Sequence, residues 1–224
     1  MLFCKFVVKH RHTLIYFTFL DMHNHHGIDA CDCERSLPEF NLMQTVKRRF
    51  YAMRNGALAG QMRSRGLDYR INFGLNLPQI KEIAADVVAS VPHTKELIDL
   101  SMELWANEAT RESRLMAPMI FPADVFTRQL AERWPAEAQT VEVADVLCHA
   151  LLRKCGFAYD VAMGLLGRPD ATDMNRYAAL RLLLNLVVTG AVGAAETQQA
   201  AIDEQRRACS LTQGVAAQLL SELE

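Results

Sequence analysis

The chain has 224 residues, half of them apolar and only 8% aromatic, which is enough to bury one core and favours the helix formers Ala and Leu over the residues of sheets. The formal charge is −2 with a pI near 6.4, and without residues 1–42 the balance is 20 basic against 21 acidic. That excludes a generally basic coat: a polyanion must be met by cations clustered on one face. No run of about 18 apolar residues is present to cross a membrane as a helix, and Cys4, Cys31, Cys33, Cys148, Cys155 and Cys209, irregularly spaced, read as reduced thiols of a cytoplasmic protein.

Residues 1–42 show no helical periodicity and carry one apolar burst, Leu14 to Leu20. The burst is at the short limit for a signal peptide and no small-x-small site follows it closely. His23, His25, His26, Cys31 and Cys33 are soft-metal ligand types, yet their spacing matches no standard finger. The segment reads as a leader, disordered or outside the native fold, with no metal. Met43 reads as the start of the folded unit, residues 43–224.

Apolar periodicity and stop signals predict a helix over 43–65, ended by Gly66 in a left-handed cap. Helices follow over 78–89 with Pro78 in the first turn, 94–105, 111–120, 123–134 between Pro122 and Pro135, and 141–154 before Gly156. The last four span 158–166, 173–189, 195–207 and 211–223, the final one opened by a Ser210/Gln213 capping box. Loops of about 3 to 7 residues and a period near 30 to 40 residues predict an all-α fold, a curved solenoid of antiparallel helix pairs.

Leu104-Trp105-Ala106-Asn107-Glu108-Ala109-Thr110-Arg111-Glu112-Ser113-Arg114 opens a series of pairs whose second helices carry embedded ionisable residues. Arg111, Glu112 and Arg114 at a helix start are expected to fasten one repeat to the next, pairing with carboxylates such as Glu108. Trp105 is expected in the core with Met102, Met116 and Met119, and Trp134 at a seam with its indole N–H on a loop carbonyl. Glu142, Asp145, His149 and Arg153 fall on one helical stripe, which by itself reads as a solvated face. Arg176 has Asp173 three residues before it, so a local ion pair and a phosphate contact are both open.

The segment Phe73-Gly74-Leu75-Asn76-Leu77-Pro78-Gln79-Ile80-Lys81-Glu82-Ile83-Ala84 and the run from Leu104 to Ala117 resemble the DNA alkylation repair proteins built of HEAT-like (armadillo-type) repeats. Val141-Glu142-Val143-Ala144-Asp145 and Asn175-Arg176-Tyr177-Ala178-Ala179-Leu180 continue the likeness, which covers about residues 47–223. Some of that family are DNA glycosylases for N-alkylated purines. The resemblance implies that Asp145 stands where active members keep their essential carboxylate and Arg176 where they hold the DNA backbone. The two family tryptophans that pack against the damaged nucleotide correspond here to Val141 and Ala217.

The expectation is therefore a DNA-binding protein of the alkylation repair type, acting on duplex DNA and excising N3- or N7-alkylated purines, with Asp145 catalytic and Arg176 DNA-binding. The leaving base is already cationic, so the site need only stabilise positive charge on the sugar, which suits a carboxylate. The alternative is a non-catalytic scaffold whose concave face binds nucleic acid or a protein partner. No cofactor and no membrane partner are expected, and the chain is expected to be a monomer.

Overall fold

The computed structural model describes residues 41–192 and 194–223. Their regular elements are helices: α1 (Leu42–Ala52), α2 (Gly56–Ser64), α3 (Leu77–Ser90), α4 (Thr94–Ala106), α5 (Arg111–Ile120), α6 (Arg128–Glu137), α7 (Val141–Ala150), α8 (Ala158–Gly167), α9 (Asp173–Val188), α10 (Ala194–Arg206) and α11 (Gln213–Ser221). Short 3-10 turns cover Ala123–Val125 and Leu152–Lys154. Among the described residues sheet pairing is limited to one bridge, Ile71 with Thr110, so the fold is all-α, as composition and periodicity imply.

Four predicted helices are corrected, among them the one expected over 141–154, which ends at Ala150 and is followed by a separate 3-10 turn over Leu152–Lys154. The helix expected over 43–65 is two, because Asn55 leaves the first helix to donate its N–H to the Phe73 carbonyl at 2.7 Å, while its side chain caps α2 by accepting from the Leu58 N–H. Asn-Gly at 55–56 is a turn dipeptide that an unbroken periodicity had masked. Gly66, at φ 88°, does end the second of the two. The helix expected over 123–134 is a 3-10 turn followed by α6, which starts from a Thr127 cap and continues through Pro135. At the start of α11 the Ser210/Gln213 box is replaced by Thr212 at the cap position, whose hydroxyl turns instead to Glu204 at 3.2 Å.

Helices α3, α5, α7, α9 and α11 lie side by side in sequence, each packed on the next. In addition α4 packs on α5, α8 on α9 and α10 on α11, while α6 packs on α8 and α9. Buried leucines along the row, among them Leu115, Leu147, Leu180 and Leu183, each contribute roughly 1.5–3 kcal/mol by leaving water. Trp105 and Trp134 stack with centroids 4.1 Å apart, and Phe121 and Phe126 meet Trp134 edge-on. Trp105 is thus core, as expected. Trp134 is core too, but its indole makes no hydrogen bond among the described residues, so the expected loop-carbonyl contact is absent: the aromatic cluster encloses the ring completely.

The start of α5 joins two of the sequence motifs. Glu112, fully buried, accepts from the backbone N–H groups of Phe73 and Leu75 at 3.2 and 3.3 Å. Arg111 donates to the Leu75 carbonyl at 2.9 Å and makes a two-pronged contact with Glu142. Arg114 donates to the carbonyls of Trp105 and Glu137 and lies 3.8 Å over the Trp105 ring, a cation–π contact in a desolvated setting. The cluster is a fastener between helices, as the sequence suggests. Its acidic partner is Glu142 rather than Glu108.

Candidate functional site

Thr140 starts α7 by accepting from the Val143 N–H at 3.3 Å, and the helix then distributes its polar stripe among different neighbours. Glu142 goes to Arg111 of α5. One turn later Asp145 faces α9, where the Tyr177 hydroxyl donates to its Oδ1 at 2.8 Å and Arg181 Nε lies 3.1 Å from the same oxygen. Tyr177 and Arg181 are four residues apart, so the 3.6-residue repeat of α9 places both over Asp145. The Arg181 contact is an ion pair without hydrogen-bond alignment, since its Nε makes no hydrogen bond. Asp145 keeps 35% of its side chain exposed and Arg181 30%, so solvent and solutes reach both.

The groups around Asp145 stay protonated. Burial, and then the neighbouring carboxylate, push the Tyr177 phenol far above its ordinary range, so it remains a hydrogen-bond donor. Burial, and then Asp145, do the same to Cys148, whose thiol donates to the Ala178 carbonyl at 3.2 Å. A thiol held that far from ionisation is not a nucleophile.

Arg176 lies five residues before Arg181 along α9, on a different face, and has other partners. It donates to the carbonyls of Leu166 and Arg168, both at 3.1 Å, and to Glu204 of α10 at 3.2 Å. Only 15% of its side chain is exposed. Glu204, buried, also accepts from Arg207 at 2.8 Å and Thr212 at 3.2 Å. The local pair weighed for Arg176 is not formed: Asp173 is taken by Arg207 at 3.2 Å. Asp145 and Arg176 do lie on adjacent helices, but no contact joins them, and the arginine beside Asp145 is Arg181.

A cluster of cations lies one turn beyond Asp145. Desolvation, followed by Arg153, Lys81, Arg181 and Lys154, holds His149 below its ordinary pKa. These cations come from α3, α9 and the turn after α7, segments far apart in the chain. Sequence reading assigned none of Lys81, Tyr177 or Arg181. The spacing of Tyr177 and Arg181 on one face of α9 was the available signal, but it does not say which helix that face meets. Val141 and Ala217 are both exposed, so neither place held by a family tryptophan carries an aromatic ring.

Among the described residues no group of three or more His, Cys, Asp or Glu side chains comes together as a metal site, and the His and Cys residues weighed for metal in the leader lie outside them. No helix among the described residues is long and apolar enough to cross a membrane.

An all-helical chain with a half-exposed carboxylate between two neighbouring helices, bordered by cations, is the class of protein that these observations define. The chain belongs to the DNA alkylation repair enzyme family, which matches residues 46–165, more than half of its length. The match includes α3 to α7 and Asp145, and it ends before Arg176 and Arg181. Membership supports a role related to DNA repair. Comparisons with curated proteins and with solved structures found no significant match.

Proposed function

We propose that this chain is a DNA-binding alkylation repair protein and that Asp145 serves base excision. The row of helices α3, α5, α7, α9 and α11 fits a HEAT-like curved stack, residues 43–224 form its folded unit, and the row offers the DNA face. The observation that carries the reading is the position of Asp145: an accessible carboxylate bordered by Arg181 and, one turn on, by Lys81, Arg153 and Lys154. Cations draw the phosphate backbone onto the face, and the carboxylate is left opposite the sugar. In excision of an N3- or N7-alkylated purine the bond from sugar to base breaks, and its electron pair leaves with the base, neutralising the base's positive charge. Positive charge passes to the sugar, where Asp145 stabilises it until water adds to the anomeric carbon and loses a proton.

Arg181 has a part in this reading. Paired with Asp145 it partly neutralises the carboxylate; drawn to a phosphate, it releases the carboxylate for the sugar cation. Its terminal guanidinium nitrogens make no hydrogen bond among the described residues, unlike those of Arg176, so Arg181 supplies the phosphate contact at this point and Arg176 positions the end of α9 from behind. Base release from alkylated duplex DNA tests the assignment: wild type should release free base and Asp145→Asn should not, while binding the DNA as well or better for want of a negative charge. Unchanged release in Asp145→Asn would remove the carboxylate from the mechanism.

The exposed aliphatic side chains at Val141 and Ala217 favour a second reading, a scaffold that binds DNA on the same face without excising bases. Wild-type binding with no base release would select it.

A further inference from the structure

Asp145 has two neighbours on α9 that differ in kind. Arg181 brings a full charge on a long, partly exposed stem, and its Nε lies 3.1 Å from Oδ1 without making a hydrogen bond. Tyr177 brings a neutral hydroxyl, which donates to the same oxygen at 2.8 Å from a ring packed against the hydrophobic core. Packing fixes the ring and hence its hydroxyl, whereas a long stem with its head group in water leaves that group free to move. Both contacts fall on Oδ1, and Oδ2 makes no hydrogen bond among the described residues. A carboxyl group turns in a broad, two-fold well about its last bond, so an anchor on one oxygen sets where the other points.

The geometry points to Tyr177 as a positioning residue for base excision: its hydroxyl holds Oδ1 of Asp145 and leaves Oδ2 to face the sugar cation, before and after Arg181 turns to a phosphate. This rests on the base-excision reading above. It adds to that reading a residue beyond the part of the chain that matches the repair family, which ends at residue 165.

A phenol suits this task better than a second cation would. Stabilising the sugar cation calls for the undiminished negative charge of the carboxylate, and a cationic partner offsets that charge. A neutral donor fixes the carboxylate and leaves its charge in place. Burial, and then the carboxylate itself, keep the Tyr177 phenol protonated, so the donor is not lost by ionisation. No bond to Tyr177 forms or breaks in the reaction. The electron pair of the sugar–base bond leaves with the base, and the phenol keeps its proton throughout.

The test separates the affinity of the full chain for alkylated duplex DNA from its single-turnover rate of base release at saturating DNA. Tyr177→Phe keeps the ring and its packing and removes only the donor. Its rate should fall by about tenfold to a hundredfold, the scale set by misplacing a reacting group by up to about 1 Å, while its affinity stays near that of wild type. Asp145→Glu keeps the charge but carries the carboxylate one methylene further from α7, so it should lose base release as well. That variant leaves Tyr177 untouched and carries the test if Tyr177→Phe does not fold. A wild-type rate in either variant overturns the positioning role, and Asp145→Asn, inactive in the same assay, then leaves the Asp145 reading in place. A Tyr177→Phe protein that binds weakly yet releases base at the full rate once saturated also overturns it, since the hydroxyl would then serve binding. No release by wild type, or unchanged release by Asp145→Asn, overturns both.

Discussion

Arg176 and Arg181 lie five residues apart on one helix, and their neighbours give them different tasks. Arg176 is bonded to two carbonyls and to a buried carboxylate. Arg176→Ala leaves Glu204 with only Arg207 and Thr212, and should cost about 3 kcal/mol, the low end for breaking a buried pair. Urea denaturation should show this as a lower midpoint at constant slope. Arg181→Gln removes a partly exposed ion pair worth at most about 1 kcal/mol, so its midpoint should scarcely move. Its DNA binding should nevertheless weaken alike across sequences and lose about one phosphate's worth of salt dependence. The reverse pattern, with Arg176→Ala stable and weak in binding, would return the phosphate contact to Arg176. Sequence reading could place Arg176 on a helix but had no access to Glu204, 28 residues away. It read Asp173 as the near partner because local spacing is all that a sequence displays.

At the scale of elements, the loop before α3 is fixed by two constraints that act together. Gly74 has φ 72°, and a Cβ there would overlap the Asn55 carbonyl oxygen and lie 2.7 Å from the Ala59 N; both obstacles are backbone and cannot rotate away. Gly74→Ala should therefore cost about 4 kcal/mol or more, read as a large drop in melting temperature. Glu112 holds the same loop from the α5 side. Glu112→Ala strips the acceptor from two backbone N–H groups and removes the 3.3 Å ion pair to Arg111, which keeps Glu142 and the Leu75 carbonyl; this should cost about 3 kcal/mol. A Glu112→Ala protein that melts like wild type would show that the loop holds itself. Both residues belong to stretches whose likeness to the repair family is visible in sequence. That the stretches clasp each other is visible only in the fold, since 37 positions separate Glu112 from Leu75.

For the whole molecule, the described fold begins with a local stop. Asn41 caps α1 through the Gln44 N–H at 2.8 Å, and Gln44 returns a bond to the Asn41 N–H, while Met43, Val46 and Phe50 are buried. A chain starting at Phe40 retains this capping box and the apolar face it precedes. We expect it to melt within about 2 °C of the full chain; a much lower melting temperature would place leader residues in the core.

The sequence by itself determined the all-α class, the extent of most helices, the core place of Trp105, the fastening role of Arg111, Glu112 and Arg114, and the family. These are short-range properties: a 3.6-residue apolar period, a cap and a glycine each act within a turn or two, and a family likeness accumulates over such local stretches. Tertiary structure decided which face of α9 meets α7, and hence that Tyr177 and Arg181 hold Asp145 while Arg176 turns to Glu204. It also gathered Lys81, His149, Arg153 and Lys154 into one cluster. Periodicity tells which side of a helix is buried, but the axial offset of one helix against the next is set by the interlocking of their side chains. Arg176 and Arg181, five residues and hence about 140° apart around α9, meet different neighbours only because of that docking.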